Sequence, residues 1–524
     1  MFGKMTYRPD IDGLRSIAVL SVVIYHAMPS VLPGGFAGVD IFFVISGFLI
    51  TSIIAHEVES GRFSILNFYD RRIRRIFPAM LAVVLLSTIV GYWLLLPGDY
   101  RDYSESAIWA LGFLANIHFY ENTGYFDALT ESMPLLHTWS LAVEEQFYLV
   151  WPVFIIGLFY FTRPGYSRFW GVVFGTLAFS LSVCIYLTHV DQKAAFYLPF
   201  TRAWELLFGG LVALAAHRLE NGSGRQNSIW AMSLAGILLL LGSLILINDD
   251  MAFPGYVALF PVLGTTLLIA AGIMGQSPVS RMLSIKPMVW IGKISYSLYL
   301  WHWPVLVFYR HYVNGQELTG LEVTILIAIS IILAHLSWRF VEQPLRNVRC
   351  TRNQVFAGGA AGIFFVGLLA VVVYVNNGFT NRIPESVHKL ADRKTMNSWD
   401  CPEKRNIPGI ERNACVIGAD WDEAEHKAVL WGDSHALHYM PLIHEAATSN
   451  NVAVFVYFSC PPYLDNKEIL RAHPKIPDYS EKCGQEYDEI MTFLENDDAI
   501  DFVIVAAAWS IYPPRIHAVD GMRS

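Results

Sequence analysis

Several sets of polar side chains interrupt the long apolar runs of this sequence, and their types suit proton transfer and anion binding. Arg15 opens the first apolar segment, and His26 follows three turns later. His137, Ser140, Glu144 and Tyr148 recur at helical spacing and share one face, with Glu145 beside it. Arg202 and Glu205 are three apart and can pair. Ser295, Tyr299 and His302 form another one-sided polar stripe. Imidazole can act as a general base near neutral pH. Ionisable groups inside apolar segments are expensive and by default mark function. Each set also has a plainer reading. Arg202 and Glu205 read as a structural ion pair at a helix end. Ser295 and Tyr299 could serve only to hydrogen-bond neighbouring helices. The adjacent carboxylates of Glu144 and Glu145 need partners or a water-filled pocket, and converging polar faces favour the pocket.

Those faces must be held by membrane helices. Hydrophobic residues make up 54% of the 524 residues and charged ones only 16%, against roughly 25% in a soluble domain. A membrane helix needs about 20 mostly apolar residues. About eleven spans are expected, near 14–30, 36–56, 77–96, 138–161, 168–189, 202–217, 228–247, 256–274, 290–313, 320–340 and 354–376. The apolar segment 104–119 is short and carries Asn116 and His118. Basic loops, above all Arg71-Arg72-Ile73-Arg74-Arg75, fall on one side if 104–119 is interfacial or re-entrant. The positive-inside rule then places the N-terminus in the cytoplasm and residues 377–524 outside it. No cleaved signal peptide is expected. From charge pattern alone the arginine cluster reads first as a topology signal. Bidentate phosphate contacts suit the same residues, and so does anionic lipid. The net charge of −8 says little about partners, and no nucleic-acid partner is expected.

The polar remainder has its own signature. Cys401, Cys415, Cys460 and Cys483 suggest two disulfides with three possible connectivities, and hence an oxidising compartment. Their spacing forms no C-x-x-C pair, so no metal site is expected. Lys427–Trp431 and Phe502–Ala507 read as buried parallel strands, with helical segments Leu437–Ala447 and Tyr487–Leu494 between them. Strand, turn, helix and strand imply an α/β layer. The expected organisation is a membrane bundle over 1–345, a further linking membrane helix over 346–376, a linker or extension over 377–425, and a partial α/β domain over 426–524.

The ordered blocks of the apolar part resemble the membrane acyltransferase-3 family. They are Tyr7–Arg15 followed by His26, Gly38–Ile50, Phe68–Pro78, His137–Tyr148, Ser295–Pro304 and Phe340–Arg346. The resemblance spans about 340 residues. It implies an O-acyltransferase, commonly an acetyltransferase, of a bacterial cytoplasmic (inner) membrane. The donor would be acyl-CoA, used as a substrate rather than a bound cofactor. The acceptor would be a surface polysaccharide, such as lipopolysaccharide O-antigen, or a lipid-linked glycan. By this resemblance Arg15 and His26 are essential, and Arg71, Arg72 and Arg75 face the acyl-CoA. Glu144 and Glu145 are candidate catalytic partners of His26. The rival from another class is a transporter or exporter of lipid-linked sugars, with the outer domain a glycan-binding module; it would leave the thioester intact.

Trp431-Gly432-Asp433-Ser434-His435 follows a strand and precedes a helix, and resembles the first block of the SGNH hydrolase family, a flavodoxin-like α/β fold. Ser434 would be its nucleophile, with its own N–H in an oxyanion hole. The family's late D-x-x-H block does not follow; His517 and Asp520 stand at similar spacing in the reverse order. A shortened or impaired domain is therefore expected, and the chemistry is assigned first to the membrane bundle.

Overall fold

A computed structural model describes residues 7–122, 132–162, 167–221, 226–316, 318–384, 401–405, 414–458, 479–496 and 500–506. The chain forms two compact units, Met1–Phe379 and Thr380–Ser524.

The first unit is helical. Its elements are α1 (Pro9–Ala27), α2 (Gly38–Glu59), α3 (Ile65–Leu94), α4 (Pro97–Leu111), α5 (Ala115–Asn122), α6 (Thr138–Phe161), α7 (Ser167–Val190) and α8 (Gln192–Tyr197). They continue with α9 (Pro199–Asn221), α10 (Gln226–Leu246), α11 (Leu259–Met274), α12 (Pro278–Leu283), α13 (Lys286–Tyr312), α14 (Gly320–Ser337), α15 (Gln343–Asn347) and α16 (Arg352–Val375). Each expected span coincides with a helix. Seven described helical segments are long and apolar enough to cross a membrane by length and composition. Helices α1, α9 and α13 are not among them, and these carry Arg15, Arg202 with Glu205, and His302. Segment 104–119 is divided between α4 and α5, broken where Phe113 takes a positive φ of 54°. Neither half reaches the length of a span.

Local chemistry sets the ends of these helices. Pro stands in the first turn of α1, α4, α12 and α13, where its missing N–H costs nothing. Thr319 with Glu322, and Thr351 with Gln354, form capping boxes that start α14 and α16. A π-helical turn, Trp338–Glu342, joins α14 to α15. In the core, α1 packs along α13 and α2 along α9. The second pair is closed by reciprocal glycines. A Cβ at Gly47 would run into the Leu206 carbonyl, and one at Gly209 into the Val44 carbonyl. Small residues are what let apolar helices approach backbone to backbone.

The second unit is an α/β layer. Its five-stranded sheet has the order β1 (Glu403–Arg405), β2 (Ala414–Gly418), β4 (Val452–Phe458), β3 (His426–Gly432), β5 (Phe502–Ala506). Strands β3, β4 and β5 are parallel, and β1 and β2 are antiparallel additions. Helix α17 (Ser434–Ser449) connects β3 to β4, and α18 (Tyr479–Asn496) lies between β4 and β5. Successive residues of β3 point to opposite faces. Val429 and Trp431 pack in the cluster that holds Ile490 and Phe493 of α18. Ala428 and Leu430 pack with Ala436 and Met440 of α17. A strand covered on both faces reads as a continuous apolar run, which is how Lys427–Trp431 reads.

Two expectations need correction. The stretch 377–425, expected to be linker or extension, supplies β1 and β2, which complete the sheet edge. Strand β4 is a further addition to the expected elements, although Val452–Phe458 is an unbroken apolar run whose residues, Ala453 apart, are β-branched or aromatic. Cys401 and Cys415 are bonded to each other, and Cys483 is disulfide-bonded as well. Cys460 lies outside the described residues, as does Ala507 at the expected end of the last strand.

Candidate active site

The polar residues of α1, α6 and α13 form a column with two chambers. The larger is a cavity of about 170 Å³ lined by Arg15 of α1, Arg72 and Arg75 of α3, Glu144, Glu145 and Tyr148 of α6, and Ser295 and Tyr299 of α13. Phe43, Ser46 and Ile50 of α2 supply much of the remaining wall. The smaller chamber, about 10 Å³, is lined by His26, His137, Tyr299, Trp139 and Trp303; it has room for about one water-sized group. Val39 and Tyr299 line both.

Helix periodicity explains the order along the column. Arg15 and His26 lie on one helix about 16 Å apart at 1.5 Å per residue. On α6 the sequence runs from His137 through Ser140 to Glu144, and on α13 from Ser295 through Tyr299 to His302. The arginines and carboxylates therefore share one end and the imidazoles the other. At the middle, Tyr299 donates to the His137 carbonyl at 2.9 Å and its hydroxyl lies 2.6 Å from that of Ser140.

At the charged end, Arg72 lies 3.7 Å from Glu145 and stacks over the Tyr148 ring, 4.3 Å from its centroid. The hydroxyls of Ser46 and Tyr148 both donate to Glu144. Arg15 is 3.6 Å from Asp12. Three guanidinium groups against two glutamates leave the lining with positive charge. Ser295 Oγ, Arg72 Nε and Glu145 Oε1 are buried without a hydrogen-bond partner. Buried polar groups are normally satisfied, so these atoms suit a polar ligand.

At the imidazole end, His26 Nδ1 lies 2.9 Å from His302 Nε2. Trp303 packs edge-on against His26 with ring centroids 4.5 Å apart, and Arg310 donates to the His26 carbonyl at 2.7 Å. His137 sits 5.7 Å from His302 between ring centroids.

The placement differs from the sequence expectation in two respects. Glu144 and Glu145 belong to the charged end, and the side chain within hydrogen-bond distance of the His26 ring is His302. Arg71, expected beside Arg72 and Arg75, is not part of the cavity lining; its side chain is 46% exposed and pairs with Glu57 at 3.0 Å. Adjacent helix positions diverge by about 100°, so neighbours in an arginine run cannot all face one cavity. Arg202 and Glu205 pair at 3.1 Å near the start of α9, as expected; both are fully buried, and Asp40 of α2 also reaches Arg202 at 3.1 Å. Sequence reasoning misses Asp40 as an ionisable group. An acidic residue one step inside the apolar run of α2 is the available signal.

Among the described residues, no group of three or more His, Cys, Asp or Glu side chains is placed to hold a metal.

In the second unit, Gly432-Asp433-Ser434 forms the turn from β3 into α17. Strand β3 lies between β4 and β5, so this turn stands where the chain direction across the sheet reverses, the usual ligand position in such folds. Gly432 is required there, because a Cβ would run into the Ala506 carbonyl of β5. Asp433 is buried. The backbone of Ser434 opens α17; the side chains of Ser434 and His435, together with His517 and Asp520, lie outside the described residues. Beyond the turn, the Lys427 N–H donates to Asp501 at 2.9 Å, tying β3 to the start of β5. That bond holds the Asp501 carboxyl below its usual range.

The comparisons with known proteins follow this division. The family described as "Acyltransferase domain" matches residues 8–339, and the one described as "SGNH domain (fused to AT3 domains)" matches residues 400–521. The Staphylococcus aureus (strain MSSA476) protein named "Putative O-acetyltransferase SAS0844" is 36% identical over 362 residues, covering 66% of this chain and 58% of that protein. "O-acetyltransferase OatA" of Staphylococcus aureus (strain NCTC 8325 / PS 47) is 34% identical over 355 residues, covering 65% of this chain and 57% of that protein. The chain thus spans less than two thirds of the length of these curated relatives. No solved structure matches the chain. With the family match covering more than half of its length, and with the helical bundle and the separate α/β unit both in place, this chain belongs to the acyltransferase-3 family of multi-pass membrane proteins and carries a C-terminal SGNH domain.

Proposed function

We propose that the membrane unit transfers an acyl group, in the first instance acetyl, from acyl-CoA to a hydroxyl of a surface polysaccharide such as lipopolysaccharide O-antigen, or of its lipid-linked precursor. The observation that carries this reading is the separation of the two ends of the column. Arg15, Arg72 and Arg75 gather at one end, and His26 stands about 16 Å away along α1. Guanidinium groups suit the phosphates of CoA. The long pantetheine arm places the thioester far from those phosphates, so anchor and base must be apart.

In the reaction, His26 accepts the proton of the acceptor hydroxyl as its oxygen bonds to the thioester carbonyl carbon. The C–S bond breaks, and the CoA sulfur leaves with the proton returned from the imidazolium. The products are an O-acyl ester and free CoA thiol, with no redox change. General-base assistance of this kind contributes about 100- to 10,000-fold.

The same reading sets the chain in a bacterial inner membrane, N-terminus and arginines cytoplasmic and the SGNH domain outside. The basic loop chemistry and the Cys401–Cys415 disulfide support that orientation. In a relayed form of the same transfer, the Ser434 hydroxyl, at the turn after β3, would take the acyl group as an ester, and a glycan hydroxyl would then displace it, restoring the Ser434 hydroxyl. The deciding experiment replaces His26 with Ala at matched expression and measures the O-acetyl content of surface polysaccharide. Loss of O-acetyl is expected; undiminished O-acetyl refutes the role of His26.

A further inference from the structure

His26 and His302 form the closest imidazole pair in the membrane unit among the described residues, and their geometry allows one arrangement of protons. The rings lie within 6° of parallel, with His26 Nδ1 2.9 Å from His302 Nε2, so the contact is an in-plane N–H···N bond. A neutral imidazole has one donor nitrogen and one acceptor. The second nitrogen of His302, Nδ1, faces the Leu298 carbonyl oxygen at 3.2 Å. A carbonyl oxygen only accepts, so His302 Nδ1 carries the hydrogen and Nε2 the lone pair. His26 must then donate from Nδ1, and its own lone pair is left on Nε2.

We infer that His302 is a positioning residue: it fixes His26 as the Nδ1–H tautomer and leaves Nε2 as the basic atom. The fold supplies what this requires. His302 is fully buried and takes its orientation from the carbonyl of its own helix. Trp303 braces the His26 ring, and the Trp303 indole is itself tied to the Met133 carbonyl at 2.8 Å. Other titratable or charged groups around the pair are His137 and Tyr299, which ring His302, Tyr25, which lies against His26 with its hydroxyl on Asp249, and Arg310, which holds the His26 carbonyl. The His26 Nδ1 position is taken by His302 rather than by any of these. Holding a base through its second ring nitrogen is the way a buried carboxylate orients a catalytic histidine, and a wrong tautomer there costs about 10,000-fold.

The inference rests on the reading of His26 as the base, and the test separates the two. Inverted membrane vesicles carrying the cell's own glycan precursors are supplied with radiolabelled acetyl-CoA, and initial rates of base-labile labelling give kcat and KM. Full-length protein is compared as wild type, His26→Ala, His302→Phe and His302→Gln, with folded amounts matched by size-exclusion profile. The Gln side-chain oxygen can accept from His26 Nδ1, whereas Phe cannot. Expected are near-complete loss for His26→Ala, a fall in kcat of about 100-fold or more for His302→Phe at unchanged KM, and recovery to within about 10-fold for His302→Gln. If the Phe and Gln variants behave alike while His26→Ala is inactive, the positioning role is overturned and the base reading stands. If His26→Ala is active, the base reading itself fails and the inference falls with it.

Discussion

Arg202 of α9 reaches Asp40 of α2 at 3.1 Å and Glu205 of its own helix at 3.1 Å, with all three side chains buried. The guanidinium is also ringed by Phe43, Trp139, Phe196 and Phe253, each centroid within 6 Å. Asp40 leads into Phe43, which lines the larger cavity, so this ion triad ties the cavity wall to α9. Removing one member of a buried ion group strands the others and costs about 3–5 kcal/mol. Arg202→Ala is therefore expected to lower the unfolding temperature sharply and to reduce the yield of folded protein. Arg202→Lys is expected to recover little, because one ammonium cannot replace two guanidinium contacts. Thermal unfolding of the purified variants is the measurement; an unchanged transition for Arg202→Ala refutes the structural role.

The arginine run offers a sharper comparison. Arg72 and Arg75 line the cavity, whereas Arg71 pairs with Glu57 outside it. A hydrogen bond to a charged group contributes about 1.5–3 kcal/mol. Arg72→Ala and Arg75→Ala should each weaken acetyl-CoA binding by about 10- to 100-fold, and Arg71→Ala should leave it near wild type. Titration calorimetry with acetyl-CoA resolves the three. Equal weakening at all three positions would mean that surface charge, not the cavity, sets affinity.

Helix packing makes a separate prediction. Gly47 faces the Leu206 backbone across the α2–α9 seam, whereas a Cβ at Gly157 of α6 would meet nothing within 4 Å. Gly47→Ala should cost about 1–3 kcal/mol through overpacking, and Gly157→Ala should be neutral in packing. Detergent-resistance or thermal-melt assays on the two variants decide the matter; similar melts would argue against the close approach.

The SGNH unit can be probed by its disulfide. Cys401 and Cys415 close a loop with a sequence separation of 14 beside the β1–β2 pair. A loop of that size stabilises by about 3 kcal/mol in the chain-entropy account. Cys401→Ser should make this unit more susceptible to limited proteolysis, while the α1–α16 bundle keeps its melting behaviour. Unchanged proteolysis would show that the sheet edge does not depend on the bond.

Much of this protein follows from one-dimensional pattern. Long apolar runs define helices because backbone polar groups in lipid must be satisfied internally. The polar stripes of α6 and α13 follow from helical periodicity, and the β3 turn with Gly432 follows from a strand meeting a helix. What the pattern could not decide is which stripe meets which. His137 and His302 are visible as members of polar faces, yet only packing of α1 against α13 brings His302 to His26. The same packing separates Glu144 from His26, while the turn of α3 carries Arg71 away from Arg72. Asp40 and Arg202, 162 positions apart, become partners only when α2 and α9 close through their glycines. Periodicity tells which side of a helix a residue occupies; its neighbour across the gap is set by how close two backbones come, and that is a property of the folded bundle.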